Sequence, residues 1–224
     1  APGYRVGLHA HEAAIWAHLG QWARFEQVMD AVSGSQDPPR APVRLALLRH
    51  VADLALGRPG DTAGLLRRLA QTDVRGALDF RHQVQTEQAS LRADAAALAE
   101  LQAVAAEAAA HGHGMSQLLA LARAASLGAD RGLHTQALRD AHAAWALVAQ
   151  VTVVSTYPLD AWAHCARAFQ AGGDAAALAT VARAAREWID RTTRDHVPEA
   201  FRDSFRHRNP FNRELLALAT RLGV

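Results

Sequence analysis

The sequence predicts an all-α fold built from about five stacked helix pairs, and three observations support this prediction. Ala and Leu are abundant and β-branched residues are scarce, which is typical of helices that lose little side-chain entropy on forming. The hexapeptide Asp94–Ala99 recurs residue for residue at Asp174–Ala179. A looser pattern, a polar residue followed four positions later by a large apolar one, has five starts roughly 33 to 40 residues apart, as in repeat arrays. We therefore expect one domain over 1–224, an α-α superhelix (solenoid) closed by two C-terminal capping helices.

Each repeat is predicted to consist of a helix A, a short turn and a helix B. We expect the repeats at approximately 4–37, 41–72, 73–112, 114–150 and 156–194, with the C-terminal cap at 197–224. The A helices are expected near residues 8–18, 42–56, 73–92, 114–128 and 157–171. The B helices are expected to begin at the polar residues of the pattern, which are Gln21, Asp61, Asp94, His134 and Asp174.

The turns between helices carry residues that end and begin helices. Glycine can adopt the left-handed conformation that follows a helix, and it occurs before most of the expected B helices. These glycines are Gly20, Gly57, Gly60, Gly128, Gly132, Gly172 and Gly173. Asp61, Asp94 and Asp174 are predicted N-caps, because a carboxylate can accept the unpaired backbone N–H groups of the next helix.

Three segments are predicted to interrupt or close the series of helices. No helix can cross the connector Ser33–Pro39, and His111–Gly114 is a second break. Val151–Thr156 is the only β-branched run; we interpret it as a helix end and linker, with a short strand as the alternative. Pro198–His207 and Pro210–Leu222 are the expected capping helices, which cover the apolar side of the last repeat.

Charge and composition exclude several classes of function. All 24 basic residues are Arg, and without Lys there is no Walker-type phosphate loop, Schiff-base lysine or lysine general base. The net charge is only +2, with 22 acidic residues interspersed, so the surface is not expected to be polycationic. We expect neither a cofactor nor enzymatic activity.

The sequence also indicates where the protein functions. The single Cys165 falls in an apolar helical stretch and is predicted to be a small core residue, which fits a reducing cytoplasm. No run of 18 apolar residues and no signal-peptide pattern occurs, so we expect a soluble cytoplasmic protein with no membrane partner. The chain starts at Ala1-Pro2 without Met, which indicates either a piece of a longer protein or a processed end.

Gly20–Phe25, together with Trp16 in the preceding A helix, resembles the inter-helix turn of a tetratricopeptide repeat. The sequence departs from that family in having the usual Pro after a B helix only at Pro38-Pro39, and in a spacing mostly longer than the family's 34 residues. The resemblance implies a superhelix whose A helices line a concave face that binds a protein, a peptide or a small effector.

Two C-terminal segments, His196–Phe205 and Arg208–Leu216, carry a second resemblance. They are similar to the tail that closes the tetratricopeptide-like region of large bacterial signalling ATPases and transcriptional activators. Arg206 stands where those proteins carry an apolar residue, usually Leu. This resemblance implies a sensor or partner-binding part of a bacterial regulator, whose ATPase or DNA-binding part lies outside this chain.

Tetratricopeptide geometry assigns certain A-helix residues to the concave face. The whole set comprises His50, Phe80, Gln83, Glu87, Ser90, Arg123, Asp130, Asp160, Arg167 and Gln170. The residues predicted to contact a protein or peptide ligand are His50, Gln83, Glu87, Arg123, Asp160 and Arg167. Charged and amide side chains at i, i+3 and i+7 on stacked helices can each contact one ligand residue. The alternative is a solvated face with one packing aromatic.

Other constellations are weaker candidates for a site. The pairs His9/His11 and His111/His113 lack an obvious third ligand, so we expect no metal. Ser204, between Asp203 and His207, has no glycine-rich turn beside it, and an amphipathic surface helix explains it better than a catalytic triad. Cys165 and His164 are adjacent on a helix and do not face each other.

The main alternative function is nucleic-acid binding by a C-terminal cluster of arginines and phenylalanines. The cluster comprises Arg202, Arg206, His207, Arg208 and Arg213, with Phe201, Phe205 and Phe211 between them. Arginine and aromatic side chains can bind a single strand by phosphate contact and stacking. The phenylalanines are expected on a buried face, which disfavours this alternative. A third possibility is self-assembly into an oligomer through the ends of the stack.

Overall fold

The computed structural model describes residues 2–32, 40–74, 77–153 and 155–224, with side chains from residues 8 and 43 onward in the first two ranges. The predicted connector Ser33–Pro39 lies outside the described residues. The described ranges contain twelve α-helices and no strand, so the all-α prediction is confirmed. The helices are α1 (Pro2–His18), α2 (Trp22–Val32), α3 (Arg40–Ala55), α4 (Thr62–Ala70), α5 (Leu78–Arg92), α6 (Ala97–Ala110), α7 (Gly114–Asp130), α8 (His134–Val148), α9 (Asp160–Gly172), α10 (Ala175–Asp195), α11 (Arg202–His207) and α12 (Pro210–Leu222).

Helix N-termini follow the predicted capping residues. Asp61 accepts a hydrogen bond from the backbone N–H of Gly64 at 2.7 Å. Asp94 and Asp174 accept equivalent bonds, each at 3.0 Å, from the third residue after them. Each carboxylate therefore satisfies a backbone donor that the first helical turn leaves unpaired. The predicted role as N-cap is confirmed for Asp61 and for Asp174, which directly precedes α10. Asp94 instead lies three residues before α6, whose N-cap position is Ala96.

Left-handed residues lie in the turns between helices. Gly20, Gly132 and Gly173 have φ values of +67°, +72° and +77°. Ala93, which ends α5, has φ of +46° although it carries a Cβ. This conformation is unfavourable for residues other than glycine. The sequence offered no sign of it, because the turn after α5 has no glycine.

Some helix boundaries differ from the prediction. Helix α5 begins at Leu78, later than the expected residue 73, and α9 begins at Asp160 after the turn at Pro158-Leu159. The expected helix 198–207 is a 3-10 turn, Glu199–Phe201, followed by α11. Val151–Val153 and 155–156 are non-helical and unpaired with any strand of the described chain, which agrees with the linker interpretation.

The chain divides into two compact units. The first contains Ala1–Asp73 and Trp188–Arg213, and the second contains Val74–Glu187 and Glu214–Val224. In the first unit, α1 contacts α2 and α3, and α3 contacts α4. None of the helices in the described ranges is long and apolar enough to cross a membrane.

In the second unit, α7 contacts both α5 and α9, whereas α6 and α8 pack against neighbouring members of this set. Buried side chains of α5, α6 and α7 form one cluster that holds these three helices together. Its members are Ala89, Ala97, Leu98, Leu101 and Ala124. Alanines at these positions let the helices approach closely, and the fully buried Leu101 contributes about 2 kcal/mol. Because α7 contacts both α5 and α9, these three helices lie side by side.

Candidate functional site

An ionic network connects α5, α7 and α9 in the second unit. Arg123 on α7 donates to Asp160 on α9, with 2.9 Å between Nη2 and Oδ2. The same nitrogen lies 3.4 Å from Oε1 of Glu87 on α5. The three side chains keep between 11% and 20% of their surface exposed. Three of the six predicted ligand-contacting residues therefore meet here, with Arg123 in contact with both carboxylates.

The helices explain why these residues meet. Glu87 and Arg123 are each the tenth residue of their helices, α5 and α7, whereas Asp160 is the first residue of α9. Glu87 precedes Arg123 by 36 positions and Arg123 precedes Asp160 by 37. Asp160 also occupies the first turn of α9, where the helix dipole favours a negative charge. The contacts of α7 with α5 and α9 thus place one cation between two anions.

Two further residues extend the network along α9. His164 lies one helical turn after Asp160, with 3.2 Å between its Nε2 and Asp160 Oδ1. Its Nδ1 is 3.4 Å from Nη1 of Arg167. Arg167 in turn donates from Nε and Nη2 to the two carboxylate oxygens of Glu214 on α12, at 2.7 and 2.5 Å. Arg167, the fourth predicted residue that joins the network, forms the more exposed part of it.

Charge pairing changes the pKa values of the central pair. Burial favours the neutral form of Asp160, but the charge of Arg123 and the hydrogen bond from His164 outweigh it and lower the pKa of Asp160. Burial also disfavours the Arg123 cation, yet Asp160 and Glu87 raise its pKa above the ordinary value. Both groups are therefore charged in the folded protein.

For Glu87 and His164, the outer members of the network, the surroundings favour the neutral form. Burial raises the pKa of Glu87, and the charge of Arg123 offsets only part of that effect. Burial, followed by repulsion from Arg123, lowers the pKa of His164 although its hydrogen bond with Asp160 opposes the change. The network therefore favours a neutral imidazole and makes the Glu87 carboxyl easier to protonate than an exposed one.

The other residues of the predicted face are placed as follows. Gln83 is exposed on α5 one turn before Glu87, and Gln170 is exposed near the end of α9. His50 belongs to the first unit, where its ring lies so close to Gly60 that a Cβ on that glycine would be 2.6 Å from His50 Nδ1. Ser90 donates to the backbone oxygen of Thr86 at 2.7 Å, Phe80 is half-buried and Asp130 is exposed.

Sequence reasoning missed His164 and Glu214. His164 carried a usable signal, because it lies four residues after Asp160 and three before Arg167 and so shares their helix face. Glu214 carried no local signal, since it is 47 residues from Arg167 in the chain. Contacts between distant segments depend on packing and not on helical periodicity.

The histidine pairs that could supply metal ligands lie near other side chains. His9 faces Glu12 at 3.6 Å, and the rings of His111 and His113 are 6.2 Å apart. The buried His82, which the sequence did not single out, lies 3.3 Å from Glu107 and 5.5 Å from the His113 ring. Within the described part of the chain, no three histidine, cysteine or acidic side chains are grouped to hold a metal ion.

The possible nucleophiles are engaged in structural contacts. Ser204 is buried rather than on the surface side of its helix; it accepts from Gln21 Nε2 at 2.6 Å and donates to the Phe201 carbonyl at 3.0 Å. Cys165 is fully buried as predicted, with its Sγ 3.8 Å from the Ala141 carbonyl oxygen. Burial raises the pKa of the Cys165 thiol to about 12, which keeps it protonated at neutral pH.

The C-terminal arginine and phenylalanine cluster lies in the first unit, where part of it makes internal contacts, whereas His207, Arg208 and Arg213 are exposed. Arg206 pairs with Asp190 at 2.5 Å, and Arg202 donates to the carbonyl of Val197 at 3.2 Å. Phe205 is fully buried, and the ring of Phe201 packs on Trp16. These phenylalanines therefore do not offer free faces on which bases could stack.

Comparisons of this chain with protein-family models, with curated proteins and with solved structures found no match.

Proposed function

We propose that this chain is a non-enzymatic, tetratricopeptide-like helical-repeat module that binds a protein or peptide on the face formed by α5, α7 and α9. The observation that carries the proposal is Arg123, which bridges carboxylates on the two flanking A helices. A surface of side-by-side A helices with ordered polar side chains is what a repeat protein needs to recognise an extended segment.

Helix contacts support the repeat arrangement. Helix α7 contacts the helix before it and the helix after it, and it also contacts the A helices on either side, α5 and α9. This order of contacts is expected of consecutive helix pairs in a solenoid. In the first unit, α1 likewise contacts the next helix, α2, and the one after it, α3. We therefore propose the same arrangement of consecutive helix pairs for both units.

The chemistry of the face favours a partner with both polar and basic groups. The central carboxylates already share Arg123, so their role is to fix the geometry of the face before a partner arrives. Gln83, Gln170 and Arg167 are exposed around them and can make new contacts. Glu87 and Asp160 together outnumber Arg123 by one charge, and this excess favours a basic or amide donor at the centre.

A peptide selection tests the proposal. A random peptide library is selected on the whole chain, and the dissociation constants of recovered peptides are measured by fluorescence anisotropy. We expect Arg167→Ala and Gln83→Ala each to weaken binding about 5- to 50-fold, the range of a well-placed polar contact. Arg139→Ala, at an exposed position on α8, is the matched control and should leave affinity unchanged.

Two outcomes would contradict the proposal. One is that the selection yields no saturable binder, and the other is that Arg139→Ala weakens binding of the recovered peptides as much as Arg167→Ala does.

The nucleic-acid alternative makes its own prediction, an affinity for single strands that falls steeply with salt and depends on Arg208 and Arg213. Since no contact in the C-terminal cluster favours that alternative, we place the function on the A-helix face.

The wider role follows from the same face. A cytoplasmic sensor or scaffolding part of a bacterial regulator would use it to detect a partner protein, a peptide or a small effector. Binding that bridges α5, α7 and α9 would stabilise their packing by mass action. This stabilisation offers a simple way to transmit the presence of a partner to another part of a regulator.

A further inference from the structure

A cavity that is open to solvent lies between α1 and α2 in the first unit and shares no residue with the proposed peptide-binding face. Its volume is about 500 Å³, which is within the range of small-molecule pockets. Trp16 and Val28 contribute apolar wall, and Glu12, Arg24 and Gln27 contribute polar groups. A mixed lining of this kind holds an apolar ligand body and fixes its orientation through a few polar contacts.

Arg24 is held in place by aromatic rings. Its guanidinium carbon lies 4.6 Å from the centroid of the Trp16 ring and 5.2 Å from that of Phe201. The two rings pack edge to face, with centroids 5.7 Å apart. Stacking on aromatic faces leaves the N–H groups at the edge of the guanidinium directed away from the rings. The cation is therefore oriented without an acidic partner.

No hydrogen-bond or ion-pair partner of Arg24 occurs among the residues whose side chains the structure describes. Arg24 is itself exposed, and its guanidinium rests on the rings of Trp16 and Phe201. An arginine fixed by stacking, at the wall of a cavity and lacking an anion, has the geometry to receive two oxygens of a planar group.

Trp16 is in turn positioned by Glu12. The indole Nε1 donates to Glu12 Oε1 at 3.3 Å, and the other carboxylate oxygen lies 3.6 Å from His9 Nδ1. Glu12 thus orients the ring on which Arg24 stacks. Its negative charge in the same cavity also disfavours a doubly charged anion such as a phosphate monoester, whereas a singly charged carboxylate can pair with Arg24 at lower cost.

We infer that this cavity binds a carboxylate with an apolar body, with the carboxylate on Arg24 and the apolar part against Trp16 and Val28. The carboxylate can belong to a free organic acid or to the C-terminus of a peptide, because both present the same planar group. This inference is independent of the proposed function: its site lies in the first unit, and the peptide-binding face lies in the second.

Ligand-detected NMR on the whole chain tests the inference with matched probes. Phenylacetate is compared with phenylacetamide, its neutral isostere, and with phenyl phosphate. A short peptide ending in Phe is compared with the same peptide carrying a C-terminal amide. We expect the acid to bind saturably and the amide at least 10-fold more weakly, and the two pairs of probes show whether the free acid or the peptide terminus is preferred.

Two single substitutions test whether the carboxylate binds at Arg24. Arg24→Gln should weaken acid binding at least 10-fold, whereas Arg67→Gln, at an exposed position on α4 of the same unit, should leave it unchanged. Equal binding of the acid and amide forms, tighter binding of phenyl phosphate, or no binding of any carboxylate would each overturn the inference. The comparison of acid and amide on the unmodified chain decides the matter even if Arg24→Gln is poorly folded.

Discussion

Arg123 Nη2 lies 2.9 Å from Asp160 Oδ2 and 3.4 Å from Glu87 Oε1, so a single guanidinium separates two carboxylates that would otherwise repel each other. The exposed pair Arg167–Glu214 provides a contrast on the same unit, since its side chains keep 42% and 39% of their surface exposed. Burial and not the number of ion pairs decides how much each arginine contributes to stability.

Replacing Arg123 should therefore destabilise the fold far more than replacing Arg167. We expect Arg123→Met to lower the free energy of unfolding by about 2–4 kcal/mol, because it leaves two largely buried carboxylates without a cation. Arg167→Met should cost only about 0–1 kcal/mol, as for exposed pairs. Urea denaturation followed by circular dichroism measures both values, and equal losses would refute the central role of Arg123.

The two carboxylates around Arg123 should respond differently to neutralisation. Asp160 has a lowered pKa and a second contact to His164, whereas burial raises the pKa of Glu87. We therefore expect Asp160→Asn to be more destabilising than Glu87→Gln by about 1 kcal/mol or more. The same urea titration tests this order, and the reverse order would show that Glu87 is the main partner of Arg123.

Stability should depend on the protonation of His164. Burial and Arg123 lower its folded-state pKa below 6.5, with Arg167 acting in the same direction and the hydrogen bond with Asp160 against it. In the unfolded chain the imidazole takes up its proton near the ordinary value. Lowering the pH through this value therefore stabilises the unfolded state, and stability is lost between the unfolded and the folded pKa.

The variant His164→Gln isolates this contribution. Between about pH 7.5 and pH 5, it should lose less stability than the unmodified chain, because it has no imidazole to protonate on unfolding. His134→Gln, at an exposed position on α8, serves as the control and should follow the unmodified chain. A pH dependence unchanged by His164→Gln would mean that other groups account for it.

Ala93 offers a stabilising substitution. Its φ of +46° is unfavourable for a residue with a Cβ, so Ala93→Gly should raise the free energy of unfolding by about 0.5–1 kcal/mol. Ala103→Gly, at an exposed position inside α6, is the opposite control and should lower stability by about 1 kcal/mol. Equal effects of the two substitutions in thermal melts would contradict the left-handed assignment at Ala93.

The cap of α10 gives a prediction that depends on the repeated hexapeptide. Asp174 accepts from the Ala177 N–H and also faces His142 at 3.0 Å. We expect Asp174→Ala to cost about 1 kcal/mol, and Asp174→Asn to retain most of the stability because Asn is also a good N-cap. If the two variants are equally destabilised in urea, the contact with His142 and not the cap accounts for the role of Asp174.

The sequence predicted the elements that depend on local signals. Asp61 and Asp174 directly precede helices as expected, because a carboxylate at an N-cap acts within one turn. The resemblance to a tetratricopeptide repeat assigns Glu87, Arg123 and Asp160 to one face, and in the structure Arg123 contacts both carboxylates. That these residues contact a ligand stays a prediction.

The contacts that the sequence did not predict join distant segments of the chain. Glu214 meets Arg167 from 47 residues away, and Trp16 meets Phe201 across most of the chain. No periodicity within a helix encodes such pairs. His50 belongs to the first unit, where its ring lies beside Gly60, and its predicted contact with a ligand stays a prediction. Helix position alone does not determine which side chains converge.

Hydrogen exchange of the chain with and without a selected peptide tests the central claim most directly. The account predicts that the peptide slows amide exchange in residues 78–92, 114–130 and 160–172, the helices that carry the Arg123 network. Protection confined to α6 and α8, or to the C-terminal residues 202–213, would contradict the assignment of the binding face to α5, α7 and α9.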